Sequence, residues 1–196
     1  MPSKVDPVEP PAAVFRPTDR LFFGVFPDAA TAERTASHAQ YLRQALSLTG
    51  HVVAADRLHL TWHHLGDFVG LPQVSIDAAC EAASRTKGAR FALTFDRIAS
   101  LGHRAQRKRP VVLLPGVVPS ALSDLWCALG QHLDAHTWPT RRVHGFTPHV
   151  TLLYDRQRVI AQPVEPLVWD ITAFVLVRSL LGQTQHQHLG RWLLEN

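Results

Sequence analysis

Residues 58–66, Leu-His-Leu-Thr-Trp-His-His-Leu-Gly, decide the fold of this chain, because residues 147–154, Thr-Pro-His-Val-Thr-Leu-Leu-Tyr, repeat their pattern. Both stretches contain His-x-Thr between apolar residues, as a half-buried strand does. Side chains alternate between the faces of a strand, so the histidine and the threonine of each motif share a face. We therefore predict a groove in which two imidazoles and two hydroxyls hold one small anionic group. The four residues are His59, Thr61, His149 and Thr151.

The segments around the two motifs repeat one layout. An apolar strand stopped by a proline, a helix of about twenty residues, a turn and a His-x-Thr strand occur twice. The proline and the histidine are 32 positions apart in the first unit (Pro27, His59) and 34 in the second (Pro115, His149). This repeat predicts that the two histidines occupy equivalent places in two related halves.

The ends and the middle of the chain complete the predicted organisation. Residues 1–19 are rich in proline and poor in large apolar side chains, which predicts a flexible tail before one domain over residues 20–196. We predict a helix over residues 72–86 and a continuous strand over residues 168–178. A hairpin at residues 182–188 then leads to a last strand that ends at Leu194.

Composition is that of an ordinary globular protein, with 46% hydrophobic and 18% charged residues. The net charge of +4 suits an anionic ligand and equally fits a solvated basic surface. Cys80 and Cys127 have no metal-finger spacing and lie in predicted helices, so we expect buried free thiols in a reducing compartment. No apolar run approaches the roughly 20 residues of a membrane span, and no signal peptide is evident, so we expect a cytoplasmic protein.

The paired histidines indicate acid–base chemistry on a phosphodiester. Histidine titrates near neutrality, so one imidazole can take a proton from water while the other gives a proton to a leaving oxygen. Threonine hydroxyls can donate to the non-bridging phosphate oxygens as charge develops there. Two histidines without a carboxylate cluster make a poor magnesium site, so we expect no metal and no other cofactor.

The motifs resemble those of a known family. His59-Leu60-Thr61 and His149-Val150-Thr151 are similar to the paired His-x-Thr motifs of the two-histidine phosphoesterase superfamily. Within it they most resemble the RNA 2',3'-cyclic phosphodiesterases, also called the 2'-5' RNA ligase family. Four flanking features share this resemblance, which extends from Arg20 to Leu194: Arg20 to Phe26 with Pro27-Asp28, Leu65-Gly66, Phe146 to His149, and Val175 to Ser179 with Trp192-Leu193.

The resemblance implies a fold and an activity. The fold is α+β, with two pseudo-twofold-related lobes, each an antiparallel sheet with helices outside, around a central groove. The implied activity is hydrolysis of a 2',3'-cyclic phosphate at an RNA end to a 2'-phosphate, and in some members the reverse 2'-5' joining of RNA ends. His59 would act as the acid toward the 3' oxygen, His149 as the base for water, and Thr61 and Thr151 as donors to the phosphate. We expect a monomer whose partner is RNA.

Two positions depart from the family pattern. Trp62-His63-His64 precedes Leu65-Gly66, and in a regular strand His63 shares the face of His59, where it would perturb that residue or contact substrate. An edge histidine bonded to solvent is the alternative. Tyr154 stands where the family often has an arginine, and it can stack on a base, with Arg156 two residues on. Arg142 is a further candidate substrate contact.

Several alternatives remain open from the sequence. The basic stretch 103–109 is either a solvated loop or a phosphate contact. The protein is alternatively a phosphodiesterase for a small cyclic phosphate nucleotide, or a non-catalytic RNA- or nucleotide-binding module. A metal-dependent hydrolase is a weaker rival, prompted by the histidines His59, His63, His64, His186 and His188. The other histidines are predicted to be surface residues: His38, His51, His132, His136 and His144.

Overall fold

The structure is a computed structural model that describes residues 16–102, 106–134 and 146–196. The predictions for most of the N-terminal tail, for residues 103–105 of the basic stretch, and for His136, Arg142 and His144 lie outside these residues. No helix in the described part is long and apolar enough to cross a membrane.

Three α-helices and eight strands follow one another along the described residues. The helices are α1 (Ala29–Ala45), α2 (Gln73–Arg85) and α3 (Ser120–Asp134). The first four strands are β1 (Asp19–Val25), β2 (Leu60–Phe68), β3 (Phe91–Ser100) and β4 (Arg109–Pro115). The last four are β5 (Val150–Asp155), β6 (Gln162–Ile171), β7 (Ala173–Leu180) and β8 (Gln185–Leu193). A short 3₁₀ turn, Ala55–Arg57, precedes β2.

The described strands form one antiparallel sheet in the order β6-β3-β4-β5-β2-β1-β7-β8. Its two halves, β6-β3-β4-β5 and β2-β1-β7-β8, join where Leu60 of β2 pairs with Val150 of β5. The strand pair β1–β2 in one half therefore matches β4–β5 in the other, in agreement with the repeated layout. The predicted α+β fold is confirmed, although the two lobes share one continuous sheet.

The helices cover the sheet in a crossed arrangement. Helix α1 follows β1 but packs against β5 and β6 of the other half, and α3 follows β4 but packs against β2. Helix α2 packs against α3 and β8. Asp28 caps α1, because its carboxylate accepts from the backbone N–H of Thr31 at 2.8 Å. Helices α1 and α3 therefore each pack on the half of the sheet that does not contain the strand before them.

Two predictions about the elements are wrong in detail. Residues 168–178 form not one strand but the end of β6 and most of β7, with Thr172 between the two strands. The chain there leaves its pairing with β3 in one half and begins to pair with β1 in the other. Trp169 and Ile171 are buried before this crossing and residues 173–177 after it, so the apolar pattern does not reveal the change. Strand β8 begins at Gln185, inside the predicted hairpin.

Burial also differs from expectation at several side chains. Cys127 is exposed, because the buried face of α3 is formed by Leu122, Leu125, Leu129 and Leu133. Cys80 is only partly buried. His38 is partly buried rather than a surface residue, and His132 is partly buried with Nδ1 2.9 Å from the Thr86 hydroxyl.

Candidate active site

The join between the two half-sheets brings the two His-x-Thr motifs together. Leu60 and Val150 are paired antiparallel, so each histidine lies across from the threonine of the other motif. All four side chains line one cavity of about 300 Å³. The sequence-predicted constellation of His59, Thr61, His149 and Thr151 is therefore assembled at a single place.

Both histidines are held in the same way. Nδ1 of His59 lies 2.7 Å from the carbonyl oxygen of Arg57, and Nδ1 of His149 lies 2.8 Å from that of Thr147. A carbonyl only accepts, so each Nδ1 carries the hydrogen and donates it. Nε2 of each ring is then the nitrogen that can exchange a proton in the cavity.

The expectation that His63 shares the face of His59 is wrong. In the pairing of β1 with β2, Gly24 is opposite Thr61 and Phe23 is opposite His63, so Trp62 is an extra residue that forms a bulge. The bulge turns His63 away from the cavity, and only 8% of this residue is exposed.

His63 instead belongs to the packing of α3 against β2. Its Nε2 lies 3.0 Å from the backbone carbonyl of Trp126, to which it donates, and its ring stacks on the Trp126 indole at 5.3 Å. Burial lowers the pKa of His63 below its usual value, so the ring is neutral at physiological pH.

The same kind of bulge occurs in the second motif. Val112 pairs with Thr151 and Val111 with Leu153, so Leu152 is the extra residue. Because of the bulges, the next side chain that faces the cavity comes three positions after each threonine. These side chains are His64 and Tyr154. Tyr154 is 53% exposed and lines the cavity. Arg156 is exposed and does not line it.

Aromatic rings surround His59 on the β1 and β8 sides. The rings of Phe22 and Phe26 stack on it at 5.0 and 5.6 Å, and the ring of His186 meets it edge-on at 5.0 Å. Gly24 permits close packing of the strands here, because a Cβ atom would lie 2.9 Å from the carbonyl oxygen of Leu60. The ring of His59 is thereby fixed from several sides.

These surroundings shift the titration of the histidines near His59. Burial lowers the pKa of His59, and the charges of Arg57, His149 and His188 lower it further, while its hydrogen bond to the Arg57 carbonyl acts the other way. Burial and the neighbouring His59 lower the pKa of His186 to about 4. Both rings are therefore mainly neutral in the free protein at pH 7.

The cavity is electropositive. Arg20 and Arg57 line it, and no carboxylate is among its described lining residues. Nε of Arg57 is buried without a partner among the described residues. Arg20 is held in place by two hydrogen bonds to Asp67, at 2.6 and 2.8 Å. Such a wall favours an anion over a cation.

The described residues contain no group of three or more histidine, cysteine, aspartate or glutamate side chains placed to hold a metal ion. The histidine cluster that prompted the metal-dependent rival is divided: His63 is packed against α3, while His59, His64 and His186 line the cavity.

Comparison with known proteins agrees with this geometry. A family model described as the 2'-5' RNA ligase superfamily matches residues 26–183. The chain belongs to this superfamily. The resemblance carried by the two motifs is thus confirmed.

Individual relatives of this superfamily are similar over most of the chain. The RNA 2',3'-cyclic phosphodiesterase of Escherichia coli (strain K12) is 29% identical over 157 residues, which are 74% of this chain and 80% of that protein. The crystal structure of E. coli LigT complexed with 3'-AMP is 28% identical and matches with a TM-score of 0.72, over 92% of this chain and all of that one. A structure from Thermus thermophilus shares the fold at 20% identity and a TM-score of 0.69, over 89% of this chain and 97% of that one.

Several cavity residues of this superfamily member were not identified from the sequence: Arg20, Phe22, Val53, Arg57, His64, Ser179 and His186. Arg20 and Phe22 are two residues apart in a predicted strand and therefore share a face, which is a signal that the sequence contains. His186 lies within the stretch that the sequence predicts as a hairpin, and His64 faces the cavity only because of the bulge. Neither has a local signal, since both depend on pairing between distant segments.

Proposed function

We propose that this protein hydrolyses the 2',3'-cyclic phosphate at an RNA end to a 2'-phosphate without a metal ion. The observation that carries the proposal is the pair of histidines, each anchored through Nδ1 to a backbone carbonyl, that line one electropositive cavity. The relative in E. coli, an RNA 2',3'-cyclic phosphodiesterase by name, supports it, as do structures of E. coli LigT complexed with 3'-AMP and with phosphate.

The proposed reaction is an in-line displacement at phosphorus. Nε2 of neutral His149 takes a proton from water, and the water oxygen forms a bond to phosphorus. The bond from phosphorus to the 3' oxygen breaks, and protonated His59 gives its proton to that oxygen. Each proton transfer contributes typically about 10²–10⁴-fold to the rate. His149 then releases a proton to solvent and His59 regains one, which closes the cycle.

Thr61 and Thr151 stabilise the phosphate during this displacement. Each lies across from the histidine of the other motif, so the phosphate would sit between two hydroxyl donors. Hydrogen bonds to charge that develops in the transition state are often the largest catalytic contribution. Joining of RNA ends through a 2'-5' bond follows the same route when a 5' hydroxyl takes the place of water.

The nature of the cavity wall supports a mechanism without metal. Its donor set consists of imidazoles, hydroxyls and guanidinium groups, whereas Mg²⁺ and Ca²⁺ prefer carboxylate and carbonyl oxygens. In other phosphoryl-transfer enzymes a metal cation neutralises the charge that develops on the phosphate. Here Arg20, Arg57 and protonated His59 would neutralise that charge.

The test is hydrolysis of a short RNA ending in a 2',3'-cyclic phosphate, in excess EDTA, with 2'- and 3'-phosphate products resolved. We expect the wild-type protein to form only 2'-phosphate, and His59→Ala and His149→Ala to lose activity while remaining folded. His51→Ala serves as the matched control, because His51 is exposed and does not line the cavity. Activity that EDTA abolishes, or 3'-phosphate as the main product, would contradict the proposal.

A further inference from the structure

Four exposed cations lie together beside one end of the cavity. They are Arg107 and Lys108, which precede β4, and Arg156 and Arg158, which follow β5. We refer to these four residues as the basic surface. Two of them come from the basic stretch identified in the sequence, and the other two become their neighbours only in the folded chain.

Pairing of β4 with β5 assembles the basic surface. Arg109 is opposite Asp155, so the two residues before Arg109 and the residues after Asp155 emerge at the same edge. The segment after β5 is held against the end of β3, because Ser100 and Val159 form two hydrogen bonds, each 2.9 Å long. The segment that carries Arg156 and Arg158 is therefore fixed against the sheet.

The side chains of the basic surface make no ion pair or hydrogen bond with another described residue, unlike several cations elsewhere. Arg20, Arg178 and Lys87 each contact a carboxylate. Four unpaired positive side chains repel one another, so their proximity costs free energy that an anionic partner would recover.

The acid nearest in sequence does not neutralise this surface. Asp155 is 3% exposed. Its carboxylate accepts from the backbone N–H groups of Thr49, Gly50 and Gln157 at 2.6, 2.7 and 2.8 Å. These bonds hold Asp155 inside the protein, and it forms no ion pair with the four cations of the basic surface.

Tyr154 connects the cavity to the basic surface. Its side chain lines the cavity, and it is paired across the sheet with Pro110, two residues after Lys108. A strand of nucleic acid whose end lies in the cavity and which leaves past Tyr154 runs directly onto the four cations. The tyrosine ring offers a stacking surface for a base on the way.

We propose that the basic surface binds the phosphate backbone of single-stranded RNA whose cyclic-phosphate end occupies the cavity. This inference rests on the proposed function and deepens it, because it makes an oligonucleotide the preferred substrate over a mononucleotide. Backbone contacts of this kind are independent of base sequence and weaken as salt rises.

The test compares two substrates, a mononucleotide 2',3'-cyclic phosphate and a 12-nucleotide RNA ending in the same group. The variant R107Q/K108Q/R158Q removes three cations of the basic surface. The control R34Q/R85Q/K87Q also removes one lysine and two arginines, all exposed and all outside the cavity and the basic surface. The readouts are kcat/KM for each substrate and the affinity for the 12-mer by fluorescence anisotropy, each over a series of salt concentrations.

We expect kcat/KM of the R107Q/K108Q/R158Q variant to fall for the 12-mer and to stay unchanged for the mononucleotide. At about 0.7 counterions released per single-strand contact, three contacts give a slope against log salt that is lower by about 2 in the variant. Wild-type affinity should then fall roughly twentyfold more than that of the variant between about 50 and about 200 mM salt. The control should retain the wild-type slope.

Equal losses of kcat/KM on both substrates, or equal losses in the variant and the control, would overturn the inference. Vesicles containing phosphatidylserine provide a further test. If the basic surface mediates binding to these vesicles and its removal has no effect on RNA, the inference is also overturned.

The anisotropy measurement separates the two proposals. A wild-type protein that binds the 12-mer through the basic surface but opens no cyclic phosphate would refute the proposed function alone.

Discussion

At the residue scale, the chemistry depends on how His59 is held. Its Nδ1–H is committed to a backbone carbonyl, and aromatic rings pack against its ring. The same surroundings that fix the ring also disfavour its charge, so the proposed acid is mainly neutral in the free protein at pH 7. A phosphate in the cavity has the opposite effect, because a nearby anion favours the charged imidazole. Substrate binding would thus help to protonate the acid.

This coupling can be measured by NMR titration of the free protein, with His59→Ala used to assign the signal. The usual histidine pKa is about 6.5, and burial lowers that of His59, so we expect its midpoint below 6.5. Inorganic phosphate should raise the midpoint. A midpoint at or above 6.5 that phosphate does not move would contradict this account of His59.

At the element scale, one extra residue directly after each His-x-Thr motif determines which side chains face the cavity. The bulges at Trp62 and Leu152 interrupt the alternation of faces, so His64 and Tyr154 occupy equivalent positions while His63 becomes part of the core. In a regular strand these assignments would be reversed. The bulge in β2 thus separates a histidine of the cavity wall from one that stabilises the fold.

We predict that His63→Leu changes stability and not catalysis. Loss of the hydrogen bond to Trp126 should cost about 1 kcal/mol near pH 8, where His63 is neutral in both folded and unfolded states. Because the folded pKa of His63 is lowered, its contribution to stability is lost as pH falls from the unfolded value of about 6.5 through the folded one.

The measurement is urea denaturation of both proteins at several pH values. The gap between wild type and His63→Leu should narrow as pH falls below 6.5, while kcat on the cyclic phosphate stays at the wild-type value. A gap that is constant with pH, or a large loss of kcat, would show that His63 has another role.

The sequence could predict that the two His-x-Thr motifs meet in one cavity, because they are two local patterns with one period. Helices α1 and α2 were also predictable to within a few residues, since apolar spacing and the Asp28 cap are local signals. The bulges, the crossing from β6 to β7 and the cavity residues His64 and His186 were not predictable. Each depends on which distant strand a segment pairs with, and alternation along one strand carries no information on that choice.

At the scale of the whole molecule, two related halves share one core. Buried residues of both halves, such as Leu21 of β1 and Leu113 of β4, belong to a single apolar cluster. Trp169 of β6 also donates from Nε1 to the Thr35 hydroxyl of α1 at 3.0 Å, although the two residues are 134 positions apart. The cavity that holds the two motifs lies where the halves join, so its geometry depends on both.

We therefore expect the protein to unfold in one cooperative transition. Leu21→Ala and Leu113→Ala, one in each half, should each lower the free energy of unfolding by about 2–5 kcal/mol, because both side chains are fully buried. Circular dichroism and tryptophan fluorescence should report the same midpoint. Two transitions, each shifted by only one of the variants, would show that the halves fold independently.

The central claim is that His59 and His149 act as one acid–base pair, and single-turnover hydrolysis of a cyclic-phosphate RNA tests it most directly. The rate is measured for wild type, His59→Ala, His149→Ala and the double variant. We expect each single variant to be slower by about 10²–10⁴-fold, and the double variant to be little slower than either, because residues that act as a unit are not additive. Losses that multiply in the double variant, or a single variant with wild-type rate, would contradict the claim.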